Sequence, residues 1–285
     1  MAHTFSQFGI EIEYMIVDVE SLDLLPVSDK ILRDTSGNIA NSVEHGPITW
    51  SNELVMHVLE FKTSQPAKSL EGLVESFHQS ILDAEKRLRK SGACLLGTAM
   101  HPWFEPFDGV KLWHHEDREI YDTFDRIFDS RGHGWSNIQS FHLNLPFEVS
   151  DDESFRRLHS AIRLVLPLIP AIAGSSPFLE GRSTGLLDTR LETYRNNCIR
   201  IPSISGGVVP EVYRSHAEYK AEVFDVIAND LRTLDPEGIL EPEWTNARGV
   251  IARFDRGSIE IRVGDVQECP DQDLAIIQLV VHLVK

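Results

Sequence analysis

Phe8-Gly9-Ile10-Glu11-Ile12-Glu13-Tyr14-Met15-Ile16-Val17-Asp18 alternates apolar residues with two carboxylates. In an extended chain, residues i and i+2 share a face. Glu11 and Glu13 therefore point one way, while Phe8, Ile10, Ile12, Tyr14 and Ile16 point the other, the pattern of a half-buried strand. One face is core and the other carries chemistry.

Three later stretches repeat the pattern. In Ser258-Ile259-Glu260-Ile261-Arg262-Val263, Glu260 and Arg262 oppose Ile259, Ile261 and Val263. In Ser140-Phe141-His142-Leu143-Asn144-Leu145, His142 and Asn144 oppose Phe141, Leu143 and Leu145. In Met56-His57-Val58-Leu59-Glu60-Phe61-Lys62, Glu60 and Lys62 oppose Leu59 and Phe61. An antiparallel sheet with one solvated face would also alternate. Glu is depleted in strands, however, and three of these four carry one at mid-strand, which favours a functional face. Carboxylates gathered in this way repel one another, so a cationic partner is implied.

The chain of 285 residues can bury a large core, and no linker or low-complexity run divides it, so residues 1–285 are read as one domain. Its 42% hydrophobic and 25% charged content is ordinary for a globular protein. A net charge of -17, from 44 acidic and 27 basic residues, argues against a nucleic-acid or anionic-membrane surface. An acidic protein that handles ATP needs divalent metal to bring phosphates near its carboxylates. Cys94, Cys198 and Cys269 have no CxxC spacing, which suggests neither a disulfide framework nor a zinc site. Met1 to Gln7 lacks a signal-peptide pattern. The most apolar run, Ala161 to Ala173, contains Arg163, Pro167 and Pro170 and is too short to span a bilayer. A soluble, cytoplasmic protein is expected.

Ser21 to Pro47 reads as irregular, with a short helix near Asp29 to Arg33. A long amphipathic helix is predicted from an N-cap at Ser69 to about Ser91, closed by Gly92. An apolar strand, Ala93 to Ala99, and a proline-rich loop, His101 to Phe107, follow. Further helices are expected over Glu116–Phe128, from an Asp151 or Asp152 cap through Val165, and over Tyr213–Thr233; a last apolar helix runs from Asp273 to Lys285. Strands and helices mix without regular βαβ alternation, which predicts an α+β fold with a largely antiparallel sheet.

Four motifs in this order together resemble glutamate–cysteine ligase family 2, the bacterial carboxylate–amine ligases related to plant γ-glutamylcysteine synthetase. They are Gly9-Ile10-Glu11-Ile12-Glu13, Gln139-Ser140-Phe141-His142, Gly174-Ser175-Ser176-Pro177-Phe178 with Gly181 to Arg190, and Ile259-Glu260-Ile261-Arg262 with Asp265. The resemblance implies a glutamine synthetase-like catalytic domain, a curved antiparallel sheet with helices on its outer face. It implies use of ATP and Mg²⁺, or Mn²⁺, to join a carboxylate to an amine through an acyl phosphate. The product implied is γ-glutamylcysteine from L-glutamate and L-cysteine, for glutathione biosynthesis. The family's metal-binding positions match Glu11, Glu13, Glu60 and Glu260, with His142 at the histidine and Glu53 as a further acidic match. Arg190 matches the arginine after the family's Thr-Gly motif and would bind a substrate carboxylate or phosphate. Two departures stand out. Relatives continue into a helical C-terminal portion beyond the last matching strand, and Asn144 stands where they often have a second histidine.

The residues fit that chemistry on their own terms. Mg²⁺ takes oxygen ligands, so carboxylates on neighbouring strands can hold it against phosphates. His142 suits Mn²⁺ or a supporting donor, and a structural role is equally open. Arg262 can neutralise a transferring phosphate, making it a catalytic and nucleotide-binding candidate with Arg190, or it can simply balance Glu260. Arg182 and Arg195 read as surface charges. No Gly-x-x-x-x-Gly-Lys-[Ser/Thr] loop, Gly-x-Gly-x-x-Gly fingerprint or His-Glu-x-x-His helix is present. His114-His115-Glu116 reads as a solvated helix entry, and Cys198 lacks a matched histidine for nucleophilic work. Two alternatives remain: a glycoside hydrolase with paired carboxylates, and a non-catalytic relative that binds metal or nucleotide. The partners expected are ATP and amino acids, with homo-oligomer formation left open.

Overall fold

The Phe8–Asp18 segment becomes β1 (Gly9–Asp18), the strand from which the main sheet extends on both sides. The structure is a computed structural model that describes residues 5–106 and 109–285. The start of the Met1–Gln7 segment and Phe107 of the proline-rich loop lie outside the described residues. The other strands are β2 (Ser42–His45), β3 (Ile48–Asn52), β4 (Val58–Thr63), β5 (Ala93–Leu96), β6 (Ser140–Pro146), β7 (Phe178–Leu179), β8 (Arg182–Ser183), β9 (Val250–Arg253) and β10 (Ser258–Asp265). β7 and β8 form a separate small hairpin; the rest make one eight-stranded sheet in the order β2-β3-β4-β1-β6-β10-β9, with β5 paired to the end of β1. Every pairing in it is antiparallel. The fold class is therefore the expected α+β one, a large antiparallel sheet with helices.

Directly opposed residues in an antiparallel pair share a face. Glu11 lies opposite both Lys62 and His142, Glu13 opposite Glu60, Glu60 opposite Ser51, and Glu260 opposite Asn144. Register alone thus collects the polar side chains of five strands on one surface. The other surface is sealed. Ile10, Ile12, Leu59, Phe61 and Leu143 join one core with Phe77 and Leu88 of helix Leu73–Leu88, Phe155 and Ile162 of helix Asp152–Val165, and Ile277 and Val281 of helix Pro270–Val284. Full burial of each such side chain contributes roughly 1.5–3 kcal/mol. The polar face also has an end: Met15 and Val17 share its side of β1 and pack with Cys94 beneath Val19, Leu22 and Leu24.

A bulge shapes the far side of the face. Between Ile261 and Gly264, β10 advances three residues while β6 moves from Leu143 to Phe141, so one residue is extra. Glu260 and Asp265 have opposite parity and would face apart in a regular strand. The bulge brings Asp265 opposite Ser140 and turns it to the face that holds Glu260. Gly264 is required there, since a Cβ would lie 2.1 Å from the Phe141 ring.

Several local expectations need correction. β2 lies within the Ser21–Pro47 stretch expected to be irregular and forms a hairpin with β3. The long helix begins at Leu73, after Gly72 in a left-handed conformation (φ 79), and Ser69 instead accepts from the Glu71 N–H in the preceding turn. The Glu116–Phe128 helix starts at Arg118, and β5 stops at Leu96. The Tyr213–Thr233 helix is interrupted: Ser215 caps His216–Tyr219, a π-helical turn covers Lys220–Phe224, and α-helix resumes over Asp225–Leu231. The last helix starts at Pro270, with its ring in the first turn, where no N–H is needed. Asp151 caps its helix as expected, accepting from the Glu153 N–H. Among the described residues, no helix is long and apolar enough to cross a membrane.

Gly264→Ala should lower unfolding free energy by about 1–3 kcal/mol, the usual cost of overpacking. Denaturant titration checks this, and Phe141→Leu in the same chain should recover part of the loss.

Candidate active site

The polar face forms the floor of a cavity of about 640 Å³, lined by Glu11, Glu13, Glu53, Glu60, His142, Arg190, Glu260 and Arg262 among others. At its centre His142 is buried between carboxylates. Its Nδ1 lies 2.9 Å from Glu11 Oε2 and 3.6 Å from Glu260 Oε1; its Nε2 lies 2.9 Å from Ser140 Oγ and 3.8 Å from Glu13 Oε1. Ser140 ties the group together, donating from its backbone N–H (2.7 Å) and its hydroxyl (3.1 Å) to Glu13 Oε2. Both ring nitrogens of His142 thus lie at hydrogen-bond distance from oxygen partners, Nδ1 from Glu11 and Nε2 from Ser140.

Around this centre each carboxylate finds a different answer to burial. Glu260 accepts from Arg253 Nε at 2.8 Å and lies 3.2 Å from Arg262 Nε. Burial pushes its carboxyl up, but Arg262, Arg253 and His142 overcome this and hold it at about 2. Burial likewise raises Glu11, yet the His142 hydrogen bond carries it below its ordinary value. Glu60 accepts from Ser51 Oγ and pairs with Lys62 at 2.6 Å; burial still outweighs the lysine, and its pKa is raised. For His142, burial disfavours the charge and the Glu11 contact restores it, leaving the imidazole above its ordinary value. Glu53 has no ion-pair or hydrogen-bond partner for its carboxylate among the described residues. Burial, followed by repulsion from Glu13 and Glu60, holds it well above the ordinary range.

Of the six residues matched to metal positions, Glu11, His142 and Glu260 offer ligand atoms that all lie within 4.8 Å of one another. Glu13 flanks them; Glu60 is held by Ser51 and Lys62, and Glu53 lines the same cavity near enough to Glu13 and Glu60 for their charge to raise it. The donor set suits a hard or borderline divalent cation, since it combines oxygen with imidazole and carries excess negative charge.

Both arginines expected at the site reach it, in different ways. Arg262 lies over Glu260. Arg190 is 2% exposed and directs its Nε at Asp265 Oδ1, 2.5 Å away, with Nη2 3.5 Å from the Arg262 carbonyl. Asp265 also accepts from Ser176 Oγ (2.7 Å) and the Ser175 N–H (3.0 Å). This network joins the Gly174–Phe178 motif to the bulge. Asn144 donates to Glu11 Oε1 at 3.2 Å, so it orients a carboxylate. Gly9 leaves room for it, since a Cβ there would come within 3.0 Å of Asn144 Cβ.

Sequence reasoning left Ser51, Lys62, Ser140 and Arg253 out of the site. Lys62 had a signal, being two residues from Glu60 and on its face. Ser140 likewise precedes His142 by two. Arg253 had none, because its reach to Glu260 depends on β9 pairing with β10.

The family described as glutamate–cysteine ligase family 2 matches residues 7–285. An uncharacterized protein of Archaeoglobus fulgidus is 39% identical over 268 residues, which are 94% of this chain and 71% of the relative. A Bdellovibrio bacteriovorus protein provisionally named glutamate–cysteine ligase 2 is 24% identical over 189 residues, 65% of this chain and 45% of the relative. Among solved structures, a bifunctional glutathione synthetase from Pasteurella multocida superposes with TM-score 0.63 at 14% identity, covering 98% of this chain and 39% of that one. A glutamate–cysteine ligase from Francisella tularensis in complex with AMP gives TM-score 0.60 at 15% identity, covering 98% of this chain and 66% of that one. The chain thus spans between about two fifths and seven tenths of these proteins' lengths.

The charges set a pH dependence of stability. His142 is raised above 6.5, so its contribution to stability is complete below that pH and is lost as pH rises through its folded value. Glu260 falls from 4.5 to about 2, so its contribution is present above 4.5 and is lost as pH falls through 2. Glu53 and Glu60 are raised above 4.5 and so weaken the fold progressively at higher pH. Metal-free protein should therefore be most stable near pH 4.5 and decline on the alkaline side, more steeply above 6.5 where the His142 contribution is also lost, with Mg²⁺ flattening that decline. Melting temperatures across pH, with and without MgCl₂, check this.

Proposed function

The chain belongs to glutamate–cysteine ligase family 2, and from that premise we propose that it is an ATP-dependent carboxylate–amine ligase. The observation that carries this reading is the Glu11–His142–Glu260 group flanked by Arg253 and Arg262 on the floor of one cavity. Phosphoryl transfer needs positioning and charge stabilisation more than covalent chemistry from the protein, and this floor supplies both signs of charge. The likeness to a ligase crystallised with AMP supports ATP as the nucleotide. Residues 1–285 act in this reading as one catalytic domain of a cytoplasmic enzyme, and γ-glutamylcysteine for glutathione biosynthesis is the specific product it favours.

In the proposed reaction the substrate's γ-carboxylate attacks the γ-phosphorus of ATP, ADP leaves, and an acyl phosphate forms. The amine then attacks the acyl carbon, loses a proton and displaces inorganic phosphate. Mg²⁺, or Mn²⁺, would be held by Glu11, Glu260 and His142 with Glu13 and Glu60 alongside, and would supply Lewis-acid neutralisation of phosphate charge. Arg262, held over Glu260 on the floor, offsets the charge that grows on the transferring phosphoryl group. Arg253 keeps Glu260 ionised and aimed. Arg190 acts through Arg262, fixing the bulge by its contacts with Asp265 and the Arg262 carbonyl.

Phosphate release from Mg-ATP with L-glutamate, with and without L-cysteine, tests the proposal. Release should require both amino acids, and Glu13→Ala should abolish it. ATP binding without release would leave a non-catalytic binder. Arg262→Ala should lower kcat by about 10²–10³-fold, as loss of one preorganised charge-stabilising donor does.

A further inference from the structure

The cavity is lined by five Phe, Tyr or Trp side chains: Tyr121, Phe124, Trp135, Tyr194 and Trp244. Four of them are partly buried and spoken for. The Phe124 and Trp135 rings meet at 5.8 Å, Tyr121 Oη accepts from Asn52 Nδ2 at 2.8 Å, and Tyr194 Oη donates to the Ala247 carbonyl at 2.7 Å. Trp244 differs, being 65% exposed. An indole in water forgoes the apolar burial that its size offers, and its face stays open to a ligand.

The ring is exposed, but its mount is fixed. Trp244 belongs to the short helix Pro242–Thr245, and its N–H donates to the Glu241 carbonyl at 3.0 Å. Thr245 and Asn246, the next two residues, are buried; Thr245 Oγ1 donates to the same carbonyl at 2.8 Å, and Asn246 Nδ2 donates to Tyr219 Oη at 2.9 Å. Arg253 completes the mount. Its Nη1 donates to the Glu243 carbonyl at 2.6 Å while its Nε donates to Glu260 Oε2 at 2.8 Å. One guanidinium thus ties the turn that carries the indole to a carboxylate of the cavity floor.

The same side of the cavity holds Arg253, Arg256 and Arg262, from β9, β10 and the turn between them. Three guanidiniums suit a polyphosphate. Phosphates lodged among them leave the ribose and base of a nucleotide to extend along the wall, and the Pro242–Thr245 helix is the wall that Arg253 holds there. A base presents a π face whatever its edge, so an aromatic ring recognises it without further hydrogen bonds.

We propose, resting on the nucleotide use inferred above, that Trp244 is the platform for the nucleotide base: the adenine of ATP stacks on the exposed indole while its phosphates lie among Arg253, Arg256 and Arg262. The indole sets affinity for the nucleotide and leaves the amino acid sites alone.

Binding of a non-hydrolysable ATP analogue with Mg²⁺ to the full chain is measured by calorimetry for the wild type, Trp244→Ala and Trp244→Phe. Trp244→Ala should weaken it by roughly tenfold to a hundredfold, the usual loss for a stacked aromatic, and Trp244→Phe by less than about fivefold. Inorganic tripolyphosphate, which carries the charge without a base, should bind the wild type and Trp244→Ala alike. Unchanged affinity of Trp244→Ala for the analogue overturns the proposal. So does a parallel loss for tripolyphosphate, which would mark the ring as a support for the arginines. Formation of glutamyl hydroxamate from Mg-ATP, glutamate and hydroxylamine tests the ligase reading separately. Hydroxamate formed with the same KM for ATP in wild type and Trp244→Ala sinks the base platform alone. Analogue binding that depends on Trp244, without hydroxamate, keeps the platform and sinks the ligase.

Discussion

The protein is organised by the need to gather five carboxylates on one cavity lining, four from the sheet and Glu53 from the segment after β3, without leaving them uncompensated. Glu11, Glu13, Glu53, Glu60 and Glu260 all line one cavity. A buried carboxylate without a partner is costly, and several together repel. The chain answers with position-specific partners: an imidazole at the centre, arginines over Glu260, a lysine over Glu60 and two Ser140 donors to Glu13. Compensation is incomplete, and Glu53 is where the remainder appears. A cavity floor in this state is preorganised for cations and for the phosphates that accompany them.

The sheet makes the arrangement possible because antiparallel register fixes neighbours with little freedom. A slip of one residue would turn every carboxylate into the apolar core. Among the described residues, the Gly264 bulge is the one place where the sheet's register shifts, and it shifts to advantage. It brings Asp265 to the working face, and Asp265 then anchors Arg190 and the Gly174–Phe178 segment behind Arg262. The opposite sheet surface, packed by three helices, supplies the apolar burial that offsets the cost of the polar one.

Much of this was legible in the sequence. Period-two alternation placed Glu11, Glu13, Glu60, His142 and Glu260 on strands with an apolar reverse side, because each strand is half-buried and its pattern is local. The partners were harder to see. Arg253 reaches Glu260 only through the β9–β10 pairing, and Arg190 is drawn to Asp265 only because a bulge reverses one residue's direction; neither is a local pattern. The β2–β3 hairpin was hidden in a polar stretch lacking strong alternation. The true start of the first long helix depends on a left-handed Gly72, while Ser69 offered a plausible capping signal three residues earlier. The apolar part of the cavity lining, Leu54, Val55, Ile120, Phe124 and Trp135, was unreadable for a further reason: its members come from separate segments, and their facing is a tertiary property.

The central claim is that a carboxylate oxygen is activated by ATP on this floor, and isotope transfer tests it most directly. L-Glutamate carrying ¹⁸O in its γ-carboxylate is turned over with Mg-ATP and an acceptor amine, and the inorganic phosphate is analysed by mass spectrometry. Passage through an acyl phosphate predicts one ¹⁸O in each phosphate released. Phosphate released without label would mean that water, rather than the carboxylate, receives the phosphoryl group, and would contradict the account.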